Sequence, residues 1–208
     1  MIRRLIAPPA LPIVVATLIT LSAVASTWSA YQSARWSGVQ ARNFAEASGN
    51  RAVAIQNTAV ATTRVTIDAG LFAQWLTADA DNNRAAAAAL EGRFPKTLGV
   101  AFGAWRAAGG PNSPTAPASP FELAQYVVPE SRTAENLNRE ADARFQEGLT
   151  ANQQSDDYVL MTVIFATIIV IDAVGKEFAS LGIRRASVIL GASGLLAGGM
   201  VLATFPVH

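Results

Sequence analysis

The chain has 208 residues, enough for one domain or slightly more. Hydrophobic residues make up 51% and charged residues only 15%, against about 25% in ordinary soluble domains, and net charge is +1. With a mean hydropathy of +0.28, these values exclude a disordered tail or a highly charged nucleic-acid binder and indicate a membrane protein. There is no Cys, and the single His is residue 208. Thiol catalysis, disulfides, zinc-finger spacings and histidine general-base catalysis within the fold are therefore not expected.

The first apolar run covers residues 5–34 without a charge. Pro8, Pro9 and Pro12 disfavour helix interior at its start, so the first span is placed at 11–30, long enough for ~30 Å of hydrocarbon. The basic MIRR start, the apolar stretch and Ala23-Val24-Ala25 also fit a cleavable signal peptide, but a retained anchor is the preferred reading. A second run, 158–174, carries one charge, Asp172; a third, 186–205, carries none and ends before Pro206. Arg3 and Arg4 precede the first span, and Lys176, Arg184 and Arg185 fill the loop between the second and third. The positive-inside rule then places 1–10 and 175–185 in the cytoplasm, 31–157 as an external (periplasmic) domain and 206–208 outside. Trp28, Tyr31 and Tyr158 fall at the expected outer boundary as interfacial anchors.

The intervening residues predict helices, giving an all-α integral membrane protein with three spans and an external helical hairpin or bundle. No proline occurs between Ile13 and Phe94, and small residues recur at helical spacing: Ala16, Thr20, Ala23, Thr27 and Ala30, then Ala34, Ala41, Ala45, Ser48 and Ala52. Such a face lets another backbone approach closely, and it predicts that span one continues outward as a helix. Ser48-Gly49-Asn50 is the expected bend. Beyond it, Val53, Val60, Ile67, Leu71 and Trp75 form an apolar face that needs a partner. Asp79 or Asp81 is the expected cap of a short helix through Leu90, and residues 95–107 form another. Residues 109–120 (GGPNSPTAPASP) predict a loop. Pro129 and Ser131 start a long helix that runs into span two, with Ala134, Leu137, Ala141, Phe145, Gly148 and Leu149 as one stripe.

Four segments resemble a family of uncharacterised bacterial membrane proteins: WSAYQSARWSG (28–38), LFAQWL (71–76), SPFELAQY (119–126) and NQQSDDYVL (152–160). The resemblance implies a bacterial membrane protein and brings no activity with it.

Among candidate functional residues, Asp172 is the one acid inside a predicted span, where charges point to ion or proton paths. Lys176, four residues on, offers instead an ion pair near the cytoplasmic interface, with the carboxylate snorkelling outward. Ser187, Gly191, Gly194 and Gly198 share one face of span three, and Gly194–Gly198 is a GxxxG pair. This face and the Ala16, Thr20, Ala23, Thr27 row are the expected helix-packing surfaces, within the chain or between chains. Asp156 and Asp157 offer too few ligands for a cation and predict a solvated boundary. Trp36, Trp75 and Trp105 are expected in cores rather than on a ligand platform. Nucleotide-binding, hydrolase and metal motifs are lacking, so no catalytic, cofactor or metal residue is assigned.

The expectation is a non-enzymatic structural or interaction protein of the bacterial inner membrane. Its expected partners are lipids and either copies of itself or a larger membrane complex, with no nucleic acid. The alternative is a small oligomeric channel or transporter subunit. A sensor is a weaker reading, because the predicted cytoplasmic segments are too short to carry an output.

Overall fold

The computed structural model describes residues 10–113 and 116–208, so Arg3, Arg4, Pro8 and Pro9 lie outside the described residues. Among the described residues five α-helices follow in order: α1 (Leu11–Ala80), α2 (Arg84–Glu91), α3 (Lys96–Ala107), α4 (Pro129–Gly175) and α5 (Leu181–Leu202). No strand occurs among the described residues. α1, α4 and α5 are each long and apolar enough to cross a membrane. Two compact units share α1 and α4: one takes the chain up to Glu46 and from Ala143 to His208, the other Ala47–Asp142.

Several boundaries differ from the sequence reading. α1 passes through Ser48-Gly49-Asn50 without the expected bend. Gly49 has open space around it, and an exposed glycine costs a helix only about 1 kcal/mol, too little to break one held by the buried Ala47 and Ala54 on either side. Because α1 runs to Ala80, Asp79 falls inside it and Asp81 in the turn that follows, so neither caps α2. Asn82 takes the left-handed conformation (φ 55°), and Asn83 is the cap, its side-chain oxygen accepting from Ala86 N at 3.1 Å. α3 begins one residue after Pro95 and is stopped by Gly109, whose φ of 112° suits glycine. Residues 109–120 contain two short 3₁₀ turns, Gly110–Asn112 and Pro120–Glu122. α5 starts five residues before the expected span, at Leu181, and ends at Leu202.

In the first unit, α1 and α4 run antiparallel. Ser26 Oγ donates to Thr162 O (3.4 Å), Ser33 and Ser155 hydroxyls bond at 3.0 Å, and Phe44 stacks on Phe145 at 5.3 Å. Buried rows repeat every seven residues: Val15, Ser22 and Ser29 on α1; Tyr158, Phe165 and Asp172 on α4. Leu11, Val15 and Leu18 pack on Val188 of α5, while Met161, Phe165 and Ile168 meet Leu195 and Leu202. A seven-residue repeat is the signature of helices that keep one seam facing a partner.

In the second unit the inner row of α1 is Ala47, Ala54, Ala61, Asp68 and Trp75, again at intervals of seven. Of the expected face Trp75 is buried, but the stretch before it is displaced by one residue: Val53, Val60 and Ile67 are 46%, 46% and 55% exposed, and Leu71 is half-buried. The reason is the partner. α4 presents the buried Ala134 and Ala141, and alanine against alanine lets two backbones approach more closely than β-branched side chains allow. Flanking pairs fix the register, with Arg51–Asp142 at 3.0 Å and Arg64–Glu130 at 2.9 Å. On α4 the predicted stripe holds at Ala134, Ala141 and Gly148, but Leu149 is exposed.

Beyond these alanines the unit has an aromatic core of Phe72, Trp75, Ala87, Phe102 and Trp105, with Phe94 and Phe121 packed against it. Several ring pairs meet edge to face, as with Trp75–Phe102 at 4.7 Å and Phe72–Trp105 at 5.3 Å, while Phe72 stacks on Trp75 at 6.0 Å. Both indole N–H groups are satisfied, Trp75 by Glu91 Oε1 (2.9 Å) and Trp105 by Pro117 O (2.7 Å).

Candidate functional site

Three places gather side chains beyond what packing alone requires. The first is the α4–α5 seam. A Cβ on Gly191 would collide with both carboxylate oxygens of Asp172, and one on Gly175 with the Ser187 hydroxyl. A Cβ on Gly194 would lie 3.1 Å from Ile168 Cδ1, and one on Gly198 would lie 3.0 Å from Phe165 Cε1. The glycine face thus receives Asp172, Ile168 and Phe165 of the same chain in succession, and Ser187 rests on Gly175.

Asp172 is fully buried, and neither of its oxygens has a hydrogen-bond partner among the described residues. The expected Asp172–Lys176 pair does not form. α4 ends at Gly175, so Lys176 lies past the last helical turn, and its Nζ is 3.7 Å from Glu177 Oε1 instead. The carboxylate does not snorkel outward; it faces the glycine groove. Ser22 Oγ on α1 is a second buried polar atom without a partner among the described residues.

The small-residue row of α1 lies elsewhere. Ala16, Thr20, Ala23 and Thr27 are all exposed, as are Ala30, Ala34, Ala41, Ala45, Ser48 and Ala52. Within the chain α1 packs instead through Leu11, Val15, Leu18, Ser22 and Ser29. Trp28 and Tyr31 are exposed neighbours with rings 5.9 Å apart. Tyr158 is not available as an interfacial anchor, because it is fully buried.

The second place explains Tyr158. Its hydroxyl donates to Pro206 O at 3.1 Å, and Trp36 Nε1 donates to the same carbonyl at 3.1 Å. The backbone N–H of His208 donates to Gln32 Oε1 (3.1 Å), and its ring stands edge-on to Trp36 at 4.9 Å. The only histidine is thus held beside α1. Trp36 is a half-buried clasp, unlike Trp75 and Trp105 in their aromatic core.

The third place lies in the second unit and was missed from sequence. Asp68, fully buried on the inner row of α1, accepts from the Tyr126 hydroxyl at 3.0 Å through Oδ2. Its Oδ1 has no partner among the described residues, nor has the buried Oε2 of Glu130, whose other oxygen binds Arg64. Burial pushes the Asp68 carboxyl above its ordinary range, against the opposing pull of the Tyr126 hydrogen bond and the Arg64 charge. Burial, with the Asp68 hydrogen bond and charge, raises Tyr126 as well. The available signal was the seven-residue row of Ala47, Ala54, Ala61 and Trp75, which carries Asp68 inward with it. Tyr126 comes from the loop before α4, and no periodicity links it to Asp68.

Asp156 is an exposed residue that accepts from Asn152 Nδ2 (3.0 Å), and no three His, Cys, Asp or Glu side chains gather as a metal site among the described residues. The chain matches no family model, no curated protein and no solved structure.

Proposed function

We propose that this chain is a membrane-anchored interaction protein of the bacterial inner membrane that assembles through α1 with copies of itself or with a larger membrane complex. Its amino-terminal segment and the loop between α4 and α5 face the cytoplasm, and residues 31–157 face the periplasm. The observation that carries the reading is the division of labour between two small-residue faces. The glycine face of α5 is filled by Asp172, Ile168 and Phe165, whereas the Ala16, Thr20, Ala23, Thr27 row of α1 is left open. In lipid there is little hydrophobic force between helices, so close backbone approach over small residues is what rewards association.

The test is mass measurement of the protein purified in mild detergent, beside an Ala16→Leu, Ala23→Leu variant. Leucine is at home in lipid, so the variant keeps its fold but loses the assembly. A wild-type chain that runs alone, with no co-purifying protein, overturns the proposal. Asp172 and Ser22 favour a second reading, a small oligomeric channel or transporter subunit, since intramembrane polar groups without partners mark ion pathways. Liposome conductance abolished by Asp172→Asn is its test.

A further inference from the structure

The start of α1, the link after α4 and the first turn of α5 enclose an open cleft of about 520 Å³ in the first unit. One wall is α1 from Pro12 to Thr20, about 12 Å of helix that includes the apolar Val15 and Ile19. The other wall is charged and consists of Lys176, Glu177 and Arg184. We infer that this cleft binds one anionic phospholipid, its phosphate held by Lys176 and Arg184 and an acyl chain lying along Val15 and Ile19. The inference rests on the reading of α1, α4 and α5 as membrane spans, and not on assembly through α1.

Charge complementarity commits the cleft to an anion. Lys176 Nζ lies 3.7 Å from Glu177 Oε1, so those two charges offset each other. Arg184 is left over. It is half-buried, makes no ion pair among the described residues, and even its sequestered Nε lacks a hydrogen-bond partner there. Two cations and one carboxylate leave the wall with one net positive charge, which a phosphodiester with a single negative charge balances. A guanidinium offers paired N–H donors that match phosphate oxygens, and an ammonium adds a point charge beside it. Arg185, next in the same turn, lies outside the wall and adds to its positive potential. A zwitterionic headgroup would have to place its ammonium on Glu177, which Lys176 already engages and whose side chain is 76% exposed.

The depth of the cleft selects a lipid over a free phosphate ester. Its basic groups stand where α4 ends, at Gly175, and where α5 begins, at Leu181. Val15 and Ile19 follow on the span side. The headgroup layer occupies roughly 5–7 Å outside the hydrocarbon, so a cleft about 12 Å deep reaches past it to the first acyl carbons. Basic pockets between spans at this level recognise anionic headgroups. A free phosphate ester would use the charged wall and leave the apolar one wet.

The test is native mass spectrometry of the full chain released from mild detergent, titrated with dioleoyl phosphatidylglycerol or dioleoyl phosphatidylethanolamine. The first is expected to bind at least about fivefold more tightly. Lys176→Gln and Arg184→Gln are each expected to remove most of that preference, while Arg93→Gln, in the other unit, leaves it unchanged. Lys176 is exposed, so its variant keeps the test decisive if Arg184→Gln does not fold. Glycerol phosphate, which lacks acyl chains, should not displace the lipid even in large excess. Equal binding of the two lipids overturns the inference, as does a preference that survives either variant intact, or displacement by glycerol phosphate. Flotation with vesicles separates this failure from that of the membrane reading. A chain that floats with both lipids and prefers neither refutes the site alone, whereas one that floats with neither refutes the spans as well. Ala16 and Thr20 of the open α1 row border the cleft and are unchanged in these variants, so a monomer that keeps the preference refutes assembly only.

Discussion

Glycine-to-alanine substitution should have opposite signs at different positions in this chain, and Gly191 is the informative one. An alanine Cβ there collides with the Asp172 carboxylate, which is buried and has little room to turn away. Overpacking of this kind costs about 1–3 kcal/mol. The helix-propensity gain of about 1 kcal/mol that normally accompanies Gly→Ala is small inside a span, because a micelle-unfolded state keeps its helices. At Gly198 the added methyl meets Phe165 at 3.0 Å, a tenths-of-an-ångström conflict, and at Gly194 it meets only the flexible end of Ile168. The expected order of destabilisation is Gly191→Ala, then Gly198→Ala, then Gly194→Ala, spanning about 2 kcal/mol. Gly49 and Gly70, with open space around them in α1, should gain about 0.5–1 kcal/mol as alanine. The assay is reversible denaturation in mixed micelles, combined with a double-mutant cycle. In an Asp172→Ala background the Gly191 methyl finds space, so the pair should be coupled by about 1–3 kcal/mol. Coupling near zero, or a Gly191→Ala protein as stable as wild type, would refute the seam as described.

Two further outcomes follow from the second unit. The Asp68 carboxyl is raised in the folded state, so its contribution is fully present below the ordinary carboxylate pKa of 3.8 and is lost as pH rises through the raised value. Thermal midpoints should therefore climb on acidification through that window, with the Asp68→Asn variant showing a flatter profile; identical profiles would argue against it. Trp105→Ala removes a buried ring from the aromatic core together with its hydrogen bond to Pro117 O, and should cost about 3–5 kcal/mol by denaturant titration. Its effect should appear in aromatic near-ultraviolet dichroism.

Much of the architecture was readable from residue types. Proline placement and alanine abundance point to helices from Leu11 onward, and Gly109 marks a stop because only a residue without a Cβ adopts its backbone angles freely. The candidate sites were less readable. Asp172 stood out as a charge in an apolar run, but its spacing to Lys176 suggested a partner that the end of α4 at Gly175 removes. Tyr126 and Asp68 are 58 positions apart, and the hydrogen bond between them depends on how the loop after α3 returns to α1.

By itself the sequence determined that the chain is helical and that α1, α4 and α5 carry windows apolar enough for a membrane, because hydropathy and backbone propensity are sums over local residues. Only the tertiary structure decided which side of each helix faces inward. On α1, the row Val53, Val60, Ile67 and the row Ala54, Ala61, Asp68 have the same period and differ by one position. Hydrophobicity favours the first, yet the second is buried, because α4 meets it with Ala134 and Ala141. Periodicity defines a set of parallel stripes; the shape of the partner helix selects one of them.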